Sequence, residues 1–442
     1  MQIPTRVELD ALARLAAPLA IAQAAVILMS VVDTLVVGRF DATHLAGVGV
    51  GSAVSHGVLV FGMGFALALE PLVAQALGAG EAHRAFAWWR TGARVTLLVG
   101  VPLSALALGL TAASEAFGVE AAIVDLALDY ALARTPANLA FLYWIASRAF
   151  LQSQQRTRPL LIAAVVANVL NAVADVALVD GLVTLGATGA GLATSASSLI
   201  LLVVAARAIA LGAPAGEAPR AAGTGVSARA LLRLGAPISL QLAAEFLVFS
   251  TAGVLAAGLG AMEGAAHQVA INCATVTFML AGGLGGAAAS LVGDAVGRGD
   301  TLLARRRALA AVVLALGLMG TSAVCFALLA DPLADAFTAD GDPAVAGLAA
   351  ELLRIAALFQ LFDGAQVVLG AVLRGAGDVR VPLVMTLVAY WAVGFTVALG
   401  LAFGAGFGAV GLWLGLSAGL ASASVGLGLR ARVVFARPIA RV

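Results

Sequence analysis

Five carboxylates stand where the sequence is otherwise apolar: Asp33, Glu70, Asp175, Glu245 and Asp363. A charge in a bilayer interior costs about 2.5–3.5 kcal/mol on insertion scales, so an acid kept there is read first as functional. Their depths can be gauged at about 1.5 Å of helix per residue, counted from the nearest arginine on the same apolar run. On that measure Asp33 lies about 28 Å from Arg14 and Asp175 about 25 Å from Arg158. Glu245 lies about 18 Å from Arg233 and Asp363 about 16 Å from Arg374. Each half of the chain therefore offers two acids at matching depth. Two carboxylates held together without water cannot both remain bare anions, so such a pair takes up a proton or a cation such as Na⁺. Either event removes charge and favours one helix arrangement over another, which is the physical basis of ion coupling.

Plainer roles compete with this reading. Asp175 could do no more than hydrogen-bond within its bundle, and Asp33 could face water at the outer end of its span. Glu70, beside Pro71 and close to Gly78, falls near the inner interface. His267 and Gln268 read as polar packing at the start of a span. Tyr143, Trp144, Tyr390 and Trp391 suit a cavity wall, an interfacial anchor or plain packing. Arg134 falls towards the outer end of the fourth span, and Arg354 calls for an acidic partner that spacing alone does not name.

Soluble-enzyme chemistry finds no support. The chain has no P-loop, only four His and no metal-spaced His/Cys cluster or nucleophile elbow. Cys273 and Cys325 fall in separate apolar runs, which argues against a disulfide or a metal site. A net charge of +1 gives no reason to expect a nucleic-acid partner. A transporter without cofactor is expected rather than an enzyme.

The elements that must position these acids are membrane spans. The composition is 62% hydrophobic and 11% charged, against about half apolar and a quarter charged in soluble domains. The apolar runs are of the ~20-residue length that a spanning helix needs, and helices satisfy every backbone group in a dry bilayer. The runs fall at 12–38, 45–70, 85–112, 122–147, 159–180 and 187–211, then at 229–258, 264–295, 303–330, 344–373, 381–405 and 408–431. The first is too long, and lacks a cleavage pattern, for a removable signal. The Gly/Pro-rich stretch from Gly212 to Gly223 reads as a linker. The expected domains are thus a six-helix lobe at 1–211, a cytoplasmic linker at 212–227 and a six-helix lobe at 228–442.

With the N-terminus inside, all the arginines but Arg39, Arg134 and Arg354 fall on the inner side, while Glu115, Glu120, Asp180, Glu263, Asp331, Asp335, Asp340 and Asp342 fall outside. That positive-inside pattern predicts both termini in the cytoplasm. The halves also repeat. Leu12–Pro18 matches Leu231–Pro237, Gly78-Ala79-Gly80-Glu81 matches Gly297-Arg298-Gly299-Asp300, and Gly189-Ala190 matches Gly408-Ala409, all at one offset. Leu151–Arg158 matches Leu373–Arg380 three residues further on. Six spans per repeat give halves of the same orientation, a transporter plan. Pro18 and Pro237 are matched kink candidates.

The combined motifs resemble the multidrug and toxic compound extrusion (MATE) family over essentially the whole chain, with NorM-like and DinF-like features together. The first span carries Val32-Asp33-Thr34-Leu35-Val36-Val37-Gly38 and the second Ala68-Leu69-Glu70-Pro71-Leu72-Val73-Ala74-Gln75. Arg148-Ala149-Phe150-Leu151-Gln152 precedes the fifth span. Ala265-Ala266-His267-Gln268 and Phe362-Asp363-Gly364-Ala365-Gln366 follow in the second half. The resemblance implies two six-helix bundles around an outward-open cavity and H⁺- or Na⁺-driven antiport of small organic cations or drugs, by a monomer in the bacterial inner membrane. A lipid or oligosaccharide flippase of the same superfamily is the alternative, although such cavities are strongly basic. The resemblance further implies an N-half coupling site of Asp33, Asn171, Asp175 and Thr194. It implies a C-half site of Glu245 and Asp363 for cation, proton or drug, with Glu70, Gln268 and Gln366 as lesser candidates. NorM-like members commonly carry Asn where Asp175 stands, and DinF-like members commonly lack the C-half acids. This chain carries both sets, and H⁺ and Na⁺ both remain open.

Overall fold

A computed structural model describes residues 5–212, 225–338 and 342–442. The expected linker at 212–227 falls mostly outside these residues, as does Asp340. Among the described residues the chain is almost wholly helical. Twelve long helices are α1 Arg6–Phe40, α2 Ala42–Gly78, α3 Ala82–Phe117, α4 Ala121–Ser153, α5 Arg158–Gly181, α6 Ala187–Leu211, α7 Ala228–Leu259, α8 Ala261–Gly297, α9 Thr301–Leu328, α10 Pro343–Gly375, α11 Arg380–Gly404 and α12 Gly408–Val434. All except α4 are long and apolar enough to cross a membrane. Helix α4 has the length, at 33 residues, but carries Asp125, Asp129, Arg134 and Arg148. The chain is an all-α integral membrane protein with the expected plan of two sets of six helices.

Three details differ from the hydropathy reading. The short helix Ala330–Thr338 follows α9, so the polar turn after the ninth span is itself structured. Helix α2 runs on past Glu70, with one irregular turn at Ala68. Pro71 lacks the N–H that would bond one turn back, and its ring crowds the Leu67 carbonyl. Helices α5 and α11 contain wide π turns, at Ala177–Gly181 and at Val388–Gly394 and Gly400–Gly404.

The chain divides into two compact units, Ile21–Ser239 and Met1–Ala20 with Leu240–Val442. The divisions fall inside α1 and α7, just beyond Pro18 and Pro237, rather than at the linker. Within the first unit a Cβ on Gly64 would overlap Ser239; within the second a Cβ on Gly283 would overlap Ala20. Those pairs are equivalent under the sequence repeat. The turns repeat as well. Gly80 and Gly299 are left-handed at φ 77° and 73°, and Gln155, left-handed at φ 58°, stands where Gly377, at φ 85°, stands in the second half.

In the Ile21–Ser239 unit, close contacts bring α4 against α2 and α6. A Cβ on Gly47 would lie 2.7 Å from Leu126 Cβ, and one on Gly51 2.8 Å from both the Ala127 carbonyl and the Tyr130 ring. Small residues at such crossings are the usual way membrane helices approach closely.

Candidate functional site

The N-half acids come together within the Ile21–Ser239 unit. Asp33 sits on α1, Asn171 and Asp175 on α5, and Thr194 on α6. The four-residue spacing of Asn171 and Asp175 places both on one helix face, and both are fully buried. Asn171 Nδ2 donates to Asp33 Oδ1 at 3.1 Å, and Thr194 Oγ1 donates to Asp33 Oδ2 at 3.0 Å. Asp175 is different. Both of its carboxylate oxygens are buried without a donor, as is Asn171 Oδ1. What Asp175 faces is the Asp33 carboxyl, itself an acceptor. Buried acceptors without donors cost about 1–3 kcal/mol each, and more when charged. Asp33, Asp175 and Asn171 therefore form an oxygen-only pocket that a proton or a small hard cation would satisfy.

An apolar lid covers one end of this pocket: Val37, Val48, Val179, Ala187 and Ala190 pack together with Tyr130. The turns bearing the lid are pinned by His44, whose Nδ1 accepts from Ala187 N–H at 3.0 Å. Gly186, left-handed at φ 53°, leaves room there, because a Cβ would collide with the His44 ring.

Sequence reasoning passed over Tyr130 and left Arg134 only as a stray outer cation. The Tyr130 hydroxyl hydrogen-bonds Thr194 and accepts from Arg134 Nη1 at 2.7 Å. A tyrosine on an apolar helix face reads as core, and only the close crossing of α4 with α6 shows where its hydroxyl goes.

The C-half acids lie within the unit containing Leu240–Val442. Gln366 Nε2 on α10 donates to Glu245 Oε1 on α7 at 2.7 Å and to Tyr390 Oη on α11 at 2.8 Å. The Tyr390 hydroxyl in turn donates to Glu245 Oε1 at 3.4 Å. Asp363, one turn before Gln366, is buried and within electrostatic range of Glu245. The π turn of α11 widens the helix so that sequence neighbours Tyr390 and Trp391 both reach α7; Trp391 Nε1 donates to the Ala244 carbonyl at 3.2 Å. Glu245 thus has two donors, Gln366 and Tyr390, while Asp363 lies buried beside it.

The remaining candidates lie elsewhere. Glu70 accepts from Gln152 Nε2 on α4 at 3.4 Å, apart from Asp33. Gln268 is exposed and donates to Asn272 of its own helix at 3.1 Å; the structure does not bring it to Glu245. His267 is buried and accepts at Nδ1 from Trp413 Nε1 at 3.2 Å. Arg354 pairs with Asp331 at 2.6 Å, the partner that spacing could not name. Asp294 pairs with Arg307 and Asp378 with Arg430.

A repeated pair of six-helix sets, each with acids buried among polar partners, defines a multi-span membrane protein of the transporter kind. The model of the MatE family matches residues 18–177 and 237–400, and the chain belongs to that family. A probable multidrug resistance protein NorM of Bradyrhizobium diazoefficiens is 34% identical over 91% of this chain and 88% of its own length. The protein of that name from Deinococcus radiodurans is 35% identical over 93% and 92%. Among solved structures, the eukaryotic MATE transporter AtDTX14 shares the fold with a TM-score of 0.86, at 23% identity, over 96% of this chain and 95% of its own.

Proposed function

We propose that the protein is a multidrug efflux antiporter of the bacterial inner membrane that exports small organic cations against an inward flow of H⁺ or Na⁺. In this reading it works as a monomer with both termini in the cytoplasm. Asp33, Asn171, Asp175 and Thr194 take up the coupling ion, and Glu245 and Asp363 hold the cationic substrate. The observation that carries this division is the contrast between the two acid sites. Both Asp175 oxygens are buried with no donor, whereas Gln366 and Tyr390 already serve Glu245. A site short of positive charge suits a small ion. A satisfied carboxylate beside aromatic rings suits a larger organic cation, which gains from ring faces as well as from charge. The NorM relatives are named probable multidrug resistance proteins, which supports export of drugs as the reading.

The test uses proteoliposomes with a proton or a sodium gradient imposed separately and ethidium as substrate. One gradient should drive uphill transport in the native protein. Asp33→Asn and Asp175→Asn should abolish that drive while ethidium still binds, and Glu245→Gln should weaken ethidium binding. Full gradient-driven transport in both aspartate variants would refute the assignment.

A further inference from the structure

Arg134 is the one feature of the N-half site that ion uptake by the acids leaves unexplained. A guanidinium does not lose its proton in proteins, and placing one at membrane depth is costly unless a nearby group uses it. Among the described residues Arg134 makes no direct ion pair. Its Nη1 donates to the Tyr130 hydroxyl at 2.7 Å, its guanidinium lies 5.7 Å from the centre of that ring, and its Nε is buried without a partner. Hydrogen bonds connect it to the acid. Tyr130, accepting from Arg134, is hydrogen-bonded to Thr194, whose hydroxyl lies 3.0 Å from Asp33 Oδ2 and 2.9 Å from the Ala190 carbonyl. Two hydroxyls thus link the guanidinium to the acid, and hydrogen-bonded groups in series polarise one another.

Charge counting gives the consequence. Asp33 and Asp175 bring two negative charges into one buried site and Arg134 returns one positive charge. The shortfall is a single positive charge. We propose that Arg134 is a resident counter-charge of the N-half acid site, so that the site takes up one monovalent cation or one proton and rejects a second. This inference rests on the reading of that site as the coupling-ion site. Three hydrogen bonds separate Arg134 from Asp33, at most about 9 Å. At an effective dielectric of about 20, a unit charge at that distance lowers the affinity for an arriving cation about twentyfold. Arg134 thus sets both the count and the strength of ion binding without touching the ion.

The test takes the full-length protein with Glu245→Gln and Asp363→Asn, so that the acids of the N-half remain to be counted. Bound ²²Na⁺ is measured by equilibrium dialysis and protons taken up on acidification with an indicator dye, each counted as the excess over the same protein carrying Asp33→Asn and Asp175→Asn. The parent should take up one equivalent per chain. Arg134→Gln should take up a second, or bind the first about twentyfold more tightly. Arg134→Lys, which keeps the charge, and His56→Asn on neighbouring α2 should behave as the parent. Arg134→Met serves in place of Arg134→Gln if the latter does not fold. One equivalent at unchanged affinity in a folded, charge-free Arg134 variant overturns the proposal. Asp175→Asn separates the two claims: if it leaves uptake intact, the site reading itself has failed, and if it abolishes uptake while the Arg134 variants do nothing, the counter-charge alone has failed.

Discussion

Replacing Gly191 with Ala tests whether the crossing of α4 with α6 sets the geometry of the N-half acids. A Cβ at Gly191 would lie 2.7 Å from the Tyr130 carbonyl oxygen, 2.8 Å from Ala133 Cβ and 3.3 Å from Arg134 N. Two of those atoms are backbone and cannot swing aside. Ordinary contact begins near 3.4 Å, so the helices must part by about 0.7 Å, and overpacking of this kind costs about 1–3 kcal/mol. Thr194 lies one turn along α6, so its hydrogen bond to Tyr130 on α4 would stretch towards the limit of hydrogen-bond range, and the hydroxyl held against Asp33 loses its support. Gly191→Ala should therefore lower the Tm in detergent by a few degrees and weaken ion-driven ethidium transport, with ethidium binding itself preserved. Gly49→Ala is the control, because nothing lies within 4 Å of a Cβ there; it should leave both properties unchanged. Native Tm and native coupling in Gly191→Ala would show that this contact does not fix the site.

Gln366→Leu removes the N–H that serves Glu245, leaving a half-buried carboxylate short of a donor, at a cost of about 1 kcal/mol. Lower Tm and weaker ethidium binding should follow, while ion uptake by the N-half acids in the same variant stays at the native level. Asp41, in the turn between α1 and α2, accepts from the backbone N–H groups of His44 and Thr43 at 2.9 and 2.8 Å. The His44 bond leads in holding its carboxyl below the ordinary range. A lowered folded value means the cap helps at neutral pH and is lost as the pH falls through the acid range. Asp41→Ala should show a Tm deficit near pH 7 that closes below the usual carboxylate range, and a deficit independent of pH would contradict the cap.

Much of the architecture is legible in the sequence because a bilayer leaves few choices. Apolar run lengths give the helices. Matched motifs locate the repeat closely enough that the left-handed turn at Gly80 recurs at Gly299. Depth counting along single helices put Asp33 level with Asp175, and the structure brings the two carboxyls together. What was not legible depends on contacts across helices. Tyr130 carries no polar neighbour in sequence to mark its hydroxyl. The π turn that lets Tyr390 and Trp391 share α7 leaves no trace in hydropathy. Gln268 was singled out by motif, but its position on α8 exposes it and leaves it bonded to Asn272. Nor could the matched prolines say that the chain changes partners beside them.

That exchange of partners bears on how the chain could have arisen and how it can be cut. The unit Ile21–Ser239 is completed by the start of α7, and the other unit by residues before Ile21. A chain severed in the segment between α6 and α7 would yield two fragments, each holding a piece the other lacks. The first would expose the notch at Gly64 that Ser239 fills, and the second the notch at Gly283 that Ala20 fills. Neither fragment should fold by itself, but co-expressed fragments should reassemble. Because the two notches are equivalent under the repeat, an ancestral half-length chain could have closed the same gap by trading its first segment with a second copy. Gene fusion would then have made a domain-swapped dimer permanent.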